Sequence, residues 1–240
     1  MKMKKFLSSI KFFIYGLAGI FAIYIVLLIF PQVLFAHEVS YKNFNVYSRQ
    51  PLDENIYKVL DSAEIRLEKS PLYDKDLTHK IFISDTFPLY AFLNPRGRGS
   101  FGNTTTGIGI MINKADVPSD LVFRNAEQDN KRPLSDVIAH ETTHLLIQNK
   151  LGLRKAFALP RWKAEGYCEY VAGNTTIGFE EGTRRWKDNP NDDSAYLYFK
   201  YQQMVRYLLD DEKISVEELL TKDFDEKDLS AKVFAKINLN

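Results

Sequence analysis

Cysteine is almost absent from this chain of 240 residues, whose single copy is Cys168. No internal disulfide can form, which excludes the small secreted folds that disulfides hold together. An apolar core has to stabilise the protein instead. Cys168 is open to two interpretations, a reactive or metal-binding thiol and a small core residue. We favour the core residue, because the surrounding segment contains no histidine to partner it.

A surplus of either charge is also missing, since 32 lysines and arginines stand against 31 aspartates and glutamates. Without a broad positive field to attract phosphate groups, we expect no nucleic-acid partner. Internal repeats and long low-complexity tracts are missing as well. We therefore expect one folded domain of ordinary size after the N-terminal segment.

The N-terminal segment contains a long apolar run. Four lysines occur in residues 1–11, and residues 12–30 then have no ionisable side chain except two tyrosines. As a helix this run is about 28 Å long, enough to cross a bilayer. The positive-inside rule predicts a cytoplasmic N-terminus at residues 1–11, a transmembrane signal anchor at 12–36 and an extracytoplasmic domain at 37–240.

Two other interpretations of this segment stay open. Leu34 and Ala36 form an imperfect small-residue cleavage site of a secretory signal peptide, and a buried soluble helix can have a similar composition. We prefer the uncleaved anchor, because the apolar stretch is longer than a secretory core and Leu34 substitutes poorly for alanine. The cluster of lysines argues against a buried helix.

Histidine is scarce too, and two of the four copies lie in the pentapeptide HETTH at residues 140–144. This H-E-x-x-H sequence is a zinc signature when it is helical, because both imidazoles then lie on one face and can share an ion. Ser135 suits the start of such a helix and Gly152 its end. An amphipathic helix with two partly buried histidines is the alternative.

A second helix candidate follows at residues 160–170, PRWKAEGYCEY. Its P-x-W-x-x-E-G-x-x-x-Y pattern resembles that of the gluzincin metallopeptidases of the peptidase MA-like group. The resemblance implies a zincin-like fold whose zinc ligands are His140, His144 and the matching Glu165, a known catalytic set. It also implies that Glu141 is the catalytic base. The aminopeptidase block G-x-M-E-N is missing upstream, so we expect an endopeptidase.

Two further positions are candidates for roles around the metal. Glu169 follows Glu165 by one turn and is expected either to orient a ligand histidine or to lie on a solvated face. Residues 194–209 predict a helix rich in aromatic side chains. Related peptidases place a tyrosine on a downstream helix, where its hydroxyl stabilises the oxyanion. Tyr198 is the candidate for this catalytic role and Tyr201 is the reserve.

The remaining pattern predicts an α+β domain with a small mixed sheet. Regular elements are expected as strands at residues 43–47 and 79–84, a helix at 55–69, and a short helix at 216–220 before a surface tail. Irregular or exposed segments are expected as a glycine-rich loop at 94–106, an edge strand at 107–113 and a polar loop at 173–191. The edge strand either binds an extended substrate or is an ordinary sheet strand.

Together these features predict a zinc metallopeptidase bound to the membrane through its N-terminal helix and acting on a peptide or protein substrate. Glu141 is expected to take a proton from a Zn²⁺-activated water and pass it to the leaving amine. The alternative is a catalytically silent zincin-like binding module or an envelope assembly module with structural zinc. Glu141 argues against this alternative, because a structural zinc site has four protein ligands and needs no base.

Overall fold

The computed structural model describes residues 2–188 and 194–239 and shows an α+β fold. The strands of its main sheet are β1 His37–Tyr41, β2 Phe44–Ser48, β3 His79–Ile83, β4 Gly102–Thr105 and β5 Gly109–Ile112. Their order across the sheet is β1-β2-β3-β5-β4. The pairs β2/β3 and β3/β5 are parallel and the two outer pairs are antiparallel. The expected small mixed sheet is therefore confirmed.

A smaller antiparallel sheet and the helices complete the fold. Its strands are β6 Ala115–Asp116, β7 Leu121–Phe123 and β8 Lys131–Pro133. The helices are α1 Lys2–Ile29, α2 Asn55–Leu67, α3 Phe87–Leu93, α4 Leu134–Leu151, α5 Leu153–Ala158, α6 Arg161–Ala172, α7 Phe179–Asp188, α8 Ser194–Arg206, α9 Val216–Thr221 and α10 Glu226–Leu239. The helices expected from the apolar spacing are confirmed as α2, α4, α6, α8 and α9.

The main sheet separates two apolar cores, because successive side chains of a strand point to opposite faces. Ile81 and Ile110 face the larger core, which is covered by α2 and α4. Phe82 and Met111 face a smaller core, which contains residues of α3. Beyond α4 the helices are stacked in the order α6, α8 and α7. The two histidine-bearing turns of α4 thus lie between the sheet and α6.

The prediction for residues 94–113 is wrong about which strand lies at the edge. The expected edge strand is β5, which lies between β3 and β4, and all of its residues are buried. The expected loop contains β4, which is the true edge strand. The Gly-Asn-Thr-Thr sequence of β4 resembles a turn in composition, but pairing with β5 makes it extended.

The prediction of a polar loop at residues 173–191 is also wrong, because Phe179–Asp188 forms α7. Residues 189–191 of this segment lie outside the described residues. Gly182 and Trp186 lie one turn apart on the buried face of α7. On the outer face Glu181 forms ion pairs with Arg184 and Arg185. The dense charge of this segment therefore stabilises a helix surface.

The prediction of a surface tail after residue 220 is wrong as well, because Glu226–Leu239 forms α10. Leu229 and Val233 lie one turn apart and are buried in the larger core. The ring of Phe234 also lies 5.5 Å from that of Trp186 on α7. Apolar side chains at helical spacing, although few, attach this charged helix to the domain.

The N-terminal helix α1 has an apolar stretch at Lys11–Ile29, 19 residues of mean hydropathy 2.6, long enough to cross a membrane. A helix of this kind near the N-terminus is either a membrane span or a signal sequence. A turn of 3-10 helix, Pro31–Leu34, follows directly. Pro31 is buried, and the ring of Phe35 lies 5.4 Å from that of Phe82 in the smaller core. The segment that follows α1 is therefore packed into the smaller core of the domain.

Candidate metal centre

Helix α4 presents the two histidines of the H-E-x-x-H sequence on one face. The Asp120 carboxylate accepts hydrogen bonds from the Ser135 amide (2.8 Å) and hydroxyl (2.7 Å), which satisfies free donors at the start of the helix. Gly152 ends the helix with a φ of 75°. The rings of His140 and His144 lie 5.0 Å apart between centroids, as the one-turn spacing predicts.

Helix α6 brings Glu165 to both imidazoles. Its Oε2 atom lies 3.3 Å from Nε2 of His140 and 3.5 Å from Nε2 of His144. The close approach of α8 to α6 depends on Gly166, where an added Cβ would lie 2.5 Å from the carbonyl oxygen of Tyr201. The structure thus brings together all three residues that the sequence assigns to the metal.

Cys168 also lies beside the histidines. His140, His144 and Cys168 form a group that could hold a metal ion, because their ligand atoms lie within 4.8 Å of one another. Cys168 is fully buried in the larger core, as expected for a small core residue, and burial raises the pKa of its thiol well above the usual range. Its position behind the imidazoles is not foreseen from the sequence, since it depends on how α6 is rotated against α4.

Carboxylates dominate the electrostatics of this group. Burial alone would lower the pKa of His140, but the carboxylates of Glu169 and Glu165 outweigh it and raise that pKa to about 10. Burial would raise the pKa of Glu165, yet its contacts with His140 and His144 hold it below the usual range. The carboxylates next to the two imidazoles favour a positive charge at this position.

Glu169 is held behind His140 by a buried arginine. It is fully buried and accepts two hydrogen bonds from Arg132 on β8, of 2.8 and 2.9 Å. Its Oε1 atom lies 3.2 Å from Nδ1 of His140. The alternative of a solvated glutamate is therefore wrong. Arg132 was missed, because its charge alone does not distinguish it among the 32 basic residues.

Glu141 is attached to the edge strand β4. The Thr104 hydroxyl lies 2.7 Å from Oε2 of Glu141 and 2.8 Å from its backbone carbonyl oxygen. Gly102 permits this approach, since an added Cβ would lie 2.9 Å from Cγ of Glu141 and 3.0 Å from Cγ1 of Val137. Thr104 and Gly102 were also missed, because they fall in the segment expected to be a loop.

The two tyrosine candidates are placed differently by α8. Tyr198 lines the cavity beside the histidines, with its ring centroid 6.2 Å from that of His140. Arg161 lies over its ring, and burial together with Glu165 raises the pKa of Tyr198 to about 12. Tyr201 packs in the larger core instead. The preference for Tyr198 over its reserve therefore agrees with the position of its side chain.

A cavity of about 670 Å³ opens in front of the histidines. Its size falls within the range of about 300–1,000 Å³ that is typical of ligand sites. The walls come from β4, α4, α5, α6 and α8, and include Gly102, Thr104, Glu141, Phe157, Glu165 and Tyr198. Glu165 faces this cavity, whereas Cys168 is buried behind it.

No protein-family model matches the chain, and a search of curated proteins finds no similar one. The properties of the site itself are then the basis for a function. Two imidazoles and a carboxylate converge at the wall of a cavity of ligand size, with a further carboxylate beside them.

Proposed function

We propose that the protein is a zinc-dependent peptidase of the gluzincin type, with a zincin-like arrangement of mixed sheet, H-E-x-x-H helix and second ligand helix. The observation that carries the proposal is the convergence of both Nε2 atoms on Glu165 Oε2, at 3.3 and 3.5 Å. Two imidazoles and a carboxylate form a donor set typical of catalytic zinc. Glu169 supports one of these ligands from behind, which is a common feature of metal sites.

Glu165 is a better third ligand than Cys168, because of where the remaining coordination position would point. The carboxylate lies at the cavity wall and the thiol lies in the core. A catalytic ion needs one position open to water and substrate. Burial also disfavours the thiolate form of Cys168, which is the form that binds metals.

The chain's own residues then have defined tasks. Zinc, when bound, supplies Lewis acidity that activates water and polarises a carbonyl. The carboxylate of Glu141 accepts a proton from the attacking water and passes it to the leaving amine. Thr104 holds that carboxylate in place. Tyr198 keeps its proton at neutral pH, since its pKa is raised to about 12, and donates a hydrogen bond to the developing oxyanion.

The edge strand β4 suits a peptide substrate. It forms one wall of the cavity beside Glu141, and its outer side is not paired with another strand among the described residues. An extended peptide can add to such an edge through backbone hydrogen bonds, largely independently of its side chains. Binding along the strand favours cleavage within a chain, as expected for an endopeptidase.

The test is to measure metal content and hydrolysis of the full-length chain purified in detergent. Wild-type protein should bind about one zinc ion and generate new termini in a mixed peptide library read by mass spectrometry. His144→Ala and Glu165→Ala should lose both properties. Cys168→Ala is the matched control and should retain both, because the thiol is not a ligand in this proposal.

Each other outcome has a distinct meaning. Wild-type protein that cannot be loaded with zinc would overturn the proposal. Loss of zinc in Cys168→Ala, together with its retention in Glu165→Ala, would show that Cys168 and not Glu165 is the third ligand. Zinc binding without hydrolysis of any peptide would favour the silent binding or assembly module.

A further inference from the structure

A short helix on the far side of the sheet from the metal centre presents apolar side chains to solvent. In α3, Tyr90 and Leu93 point into the smaller core. Pro88 and Phe92, one turn apart, lie on the opposite face, and Phe92 is 40 % exposed. Val33, in the 3-10 turn that follows α1, is 67 % exposed. The side of the domain next to α1 is therefore apolar.

The position of α3 relative to the apolar helix is fixed by Tyr24. The Tyr24 hydroxyl donates a 2.9 Å hydrogen bond to the carbonyl oxygen of Phe92, and the two rings lie 4.9 Å apart. This carbonyl belongs to the last turn of α3, where no backbone partner is available within the helix. Tyr24 precedes the end of α1 at Ile29 by five residues, or about 7–8 Å along the axis. Phe92 thus lies level with the last turns of the apolar stretch.

The chain after α3 carries basic side chains and no acidic ones up to residue 115, while Asp85, just before α3, is paired with Arg49. No aspartate or glutamate occurs in residues 86–115, while Arg96, Arg98 and Lys114 do. Arg96 and Arg98 are exposed and make no ion pair within the described part of the chain. The Lys114 ammonium group lies 5.6 Å from the ring centroid of Phe87 at the start of α3. Apolar side chains bordered by unpaired basic ones are typical of surfaces that bind anionic lipids.

We propose that α3 is a second membrane contact, which lies in the interface of the leaflet at the C-terminal end of α1 and binds anionic phospholipid. Phe92 and Pro88 enter the boundary between headgroups and acyl chains, and Arg96 and Arg98 bind lipid phosphates. The proposal takes α1 as a membrane span and does not depend on peptidase activity. A lipid surface is favoured over a protein partner because Tyr24 holds Phe92 near the depth of an interfacial helix, whose apolar face enters the boundary between headgroups and acyl chains by about 5–10 Å.

The test uses the full chain in proteoliposomes with a nitroxide label at Phe92→Cys. Native Cys168 is fully buried, and unmodified protein should therefore take up no label. Phe179→Cys is the matched control, since Phe179 is an exposed aromatic residue of α7 on the far side of the helical layers. The ratio of accessibility to oxygen over nickel ethylenediaminediacetate should be at least about threefold higher at residue 92 than at residue 179.

Lipid composition tests the role of the arginines. The ratio at residue 92 should be higher in vesicles of phosphatidylcholine with phosphatidylglycerol than in phosphatidylcholine alone. Combining Arg96→Gln and Arg98→Gln should remove that difference. Equal ratios at residues 92 and 179 would overturn the proposed contact, and a ratio at residue 92 independent of phosphatidylglycerol would overturn the binding of anionic headgroups.

Discussion

Glu141 is held from two directions, by its own helix and by a strand. The Thr104 hydroxyl has one proton and lies within hydrogen-bonding distance of two oxygen atoms of Glu141, at 2.7 and 2.8 Å. When the carboxylate is ionised, this hydroxyl can donate to it. When the carboxylate is protonated, the same hydroxyl can accept from it and donate to the backbone carbonyl. Thr104 can therefore stay in contact with Glu141 in both states that a general base visits.

Replacing Glu141, the proposed base, should separate catalysis from metal binding. Glu141→Gln keeps the size of the side chain and is expected to retain zinc and the fold, while hydrolysis falls at least about a hundredfold. Zinc content, circular dichroism and the peptide-library rate measure the three quantities. Glu217→Gln is the control, since that side chain is 71 % exposed on α9. Equal rates for Glu141→Gln and wild type would assign Glu141 a structural role only.

Tyr198 and Tyr201, two of the tyrosines of α8, provide a second comparison. Tyr198→Phe removes the proposed oxyanion donor and should lower kcat about a hundredfold with little change in KM. Tyr201→Phe removes a hydroxyl from a side chain packed in the core and should leave kcat within about threefold of wild type. A larger loss for Tyr201→Phe than for Tyr198→Phe would contradict the assignment.

At this site, residues in patterns of distinctive spacing could be predicted from the sequence. The side chains that hold them in place could not. His140, His144 and Glu165 occur in short patterns whose spacing is set by helix geometry, so their convergence follows once α4 and α6 pack together. Thr104 lies 37 residues before Glu141, and Arg132 lies 37 residues before its partner Glu169. Both contacts depend on how β4 and β8 pack against the helices, which local patterns do not encode.

At the scale of elements, the contact between α6 and α8 determines the shape of the site. The α6 helix carries Glu165 and Glu169, and α8 carries Tyr198. Gly166 faces the backbone of α8 directly, so the spacing of the two helices is set by the absence of a side chain there. This is the structural reason for a glycine beside Glu165.

Gly166→Ala should therefore destabilise the protein although alanine favours helices. Its Cβ would meet a carbonyl oxygen at 2.5 Å, and displacing α8 should lower the free energy of unfolding by about 1–3 kcal/mol. Thermal unfolding in detergent measures the change. Gly178→Ala is the control, because nothing lies within 4 Å of the Cβ it would add. A Gly166→Ala protein as stable as wild type would show that α8 is not held at this distance.

Elements with strong apolar spacing were predictable, and those stabilised by partners were not. The isoleucines of β5 indicate a strand, but only its pairing on both sides shows that β4 covers it. Ion pairs and two inward-facing residues make α7 helical despite its polar sequence. In both cases tertiary contacts override composition.

At the scale of the whole molecule, α1 should cross the membrane once and remain attached. Cleavage of the chain near His37 would remove Phe35 from the smaller core and expose Phe82. Protease added to intact spheroplasts should digest the domain and leave the short N-terminal piece, while a cytoplasmic marker stays intact. Protection of the domain until lysis would reverse the orientation. A soluble form beginning near His37 would identify α1 as a cleaved signal.

The junction between α1 and the domain contains no flexible linker. Phe30 alone separates the end of α1 from the turn that begins with the buried Pro31. In an anchored protein, such a junction fixes the height of the cavity above the bilayer and prevents the domain from reaching outward. Encounters of the proposed peptidase with its substrate would then take place within a thin layer along the membrane. Lateral diffusion in two dimensions, and not collision in solution, would set how often the protein meets a membrane-bound target.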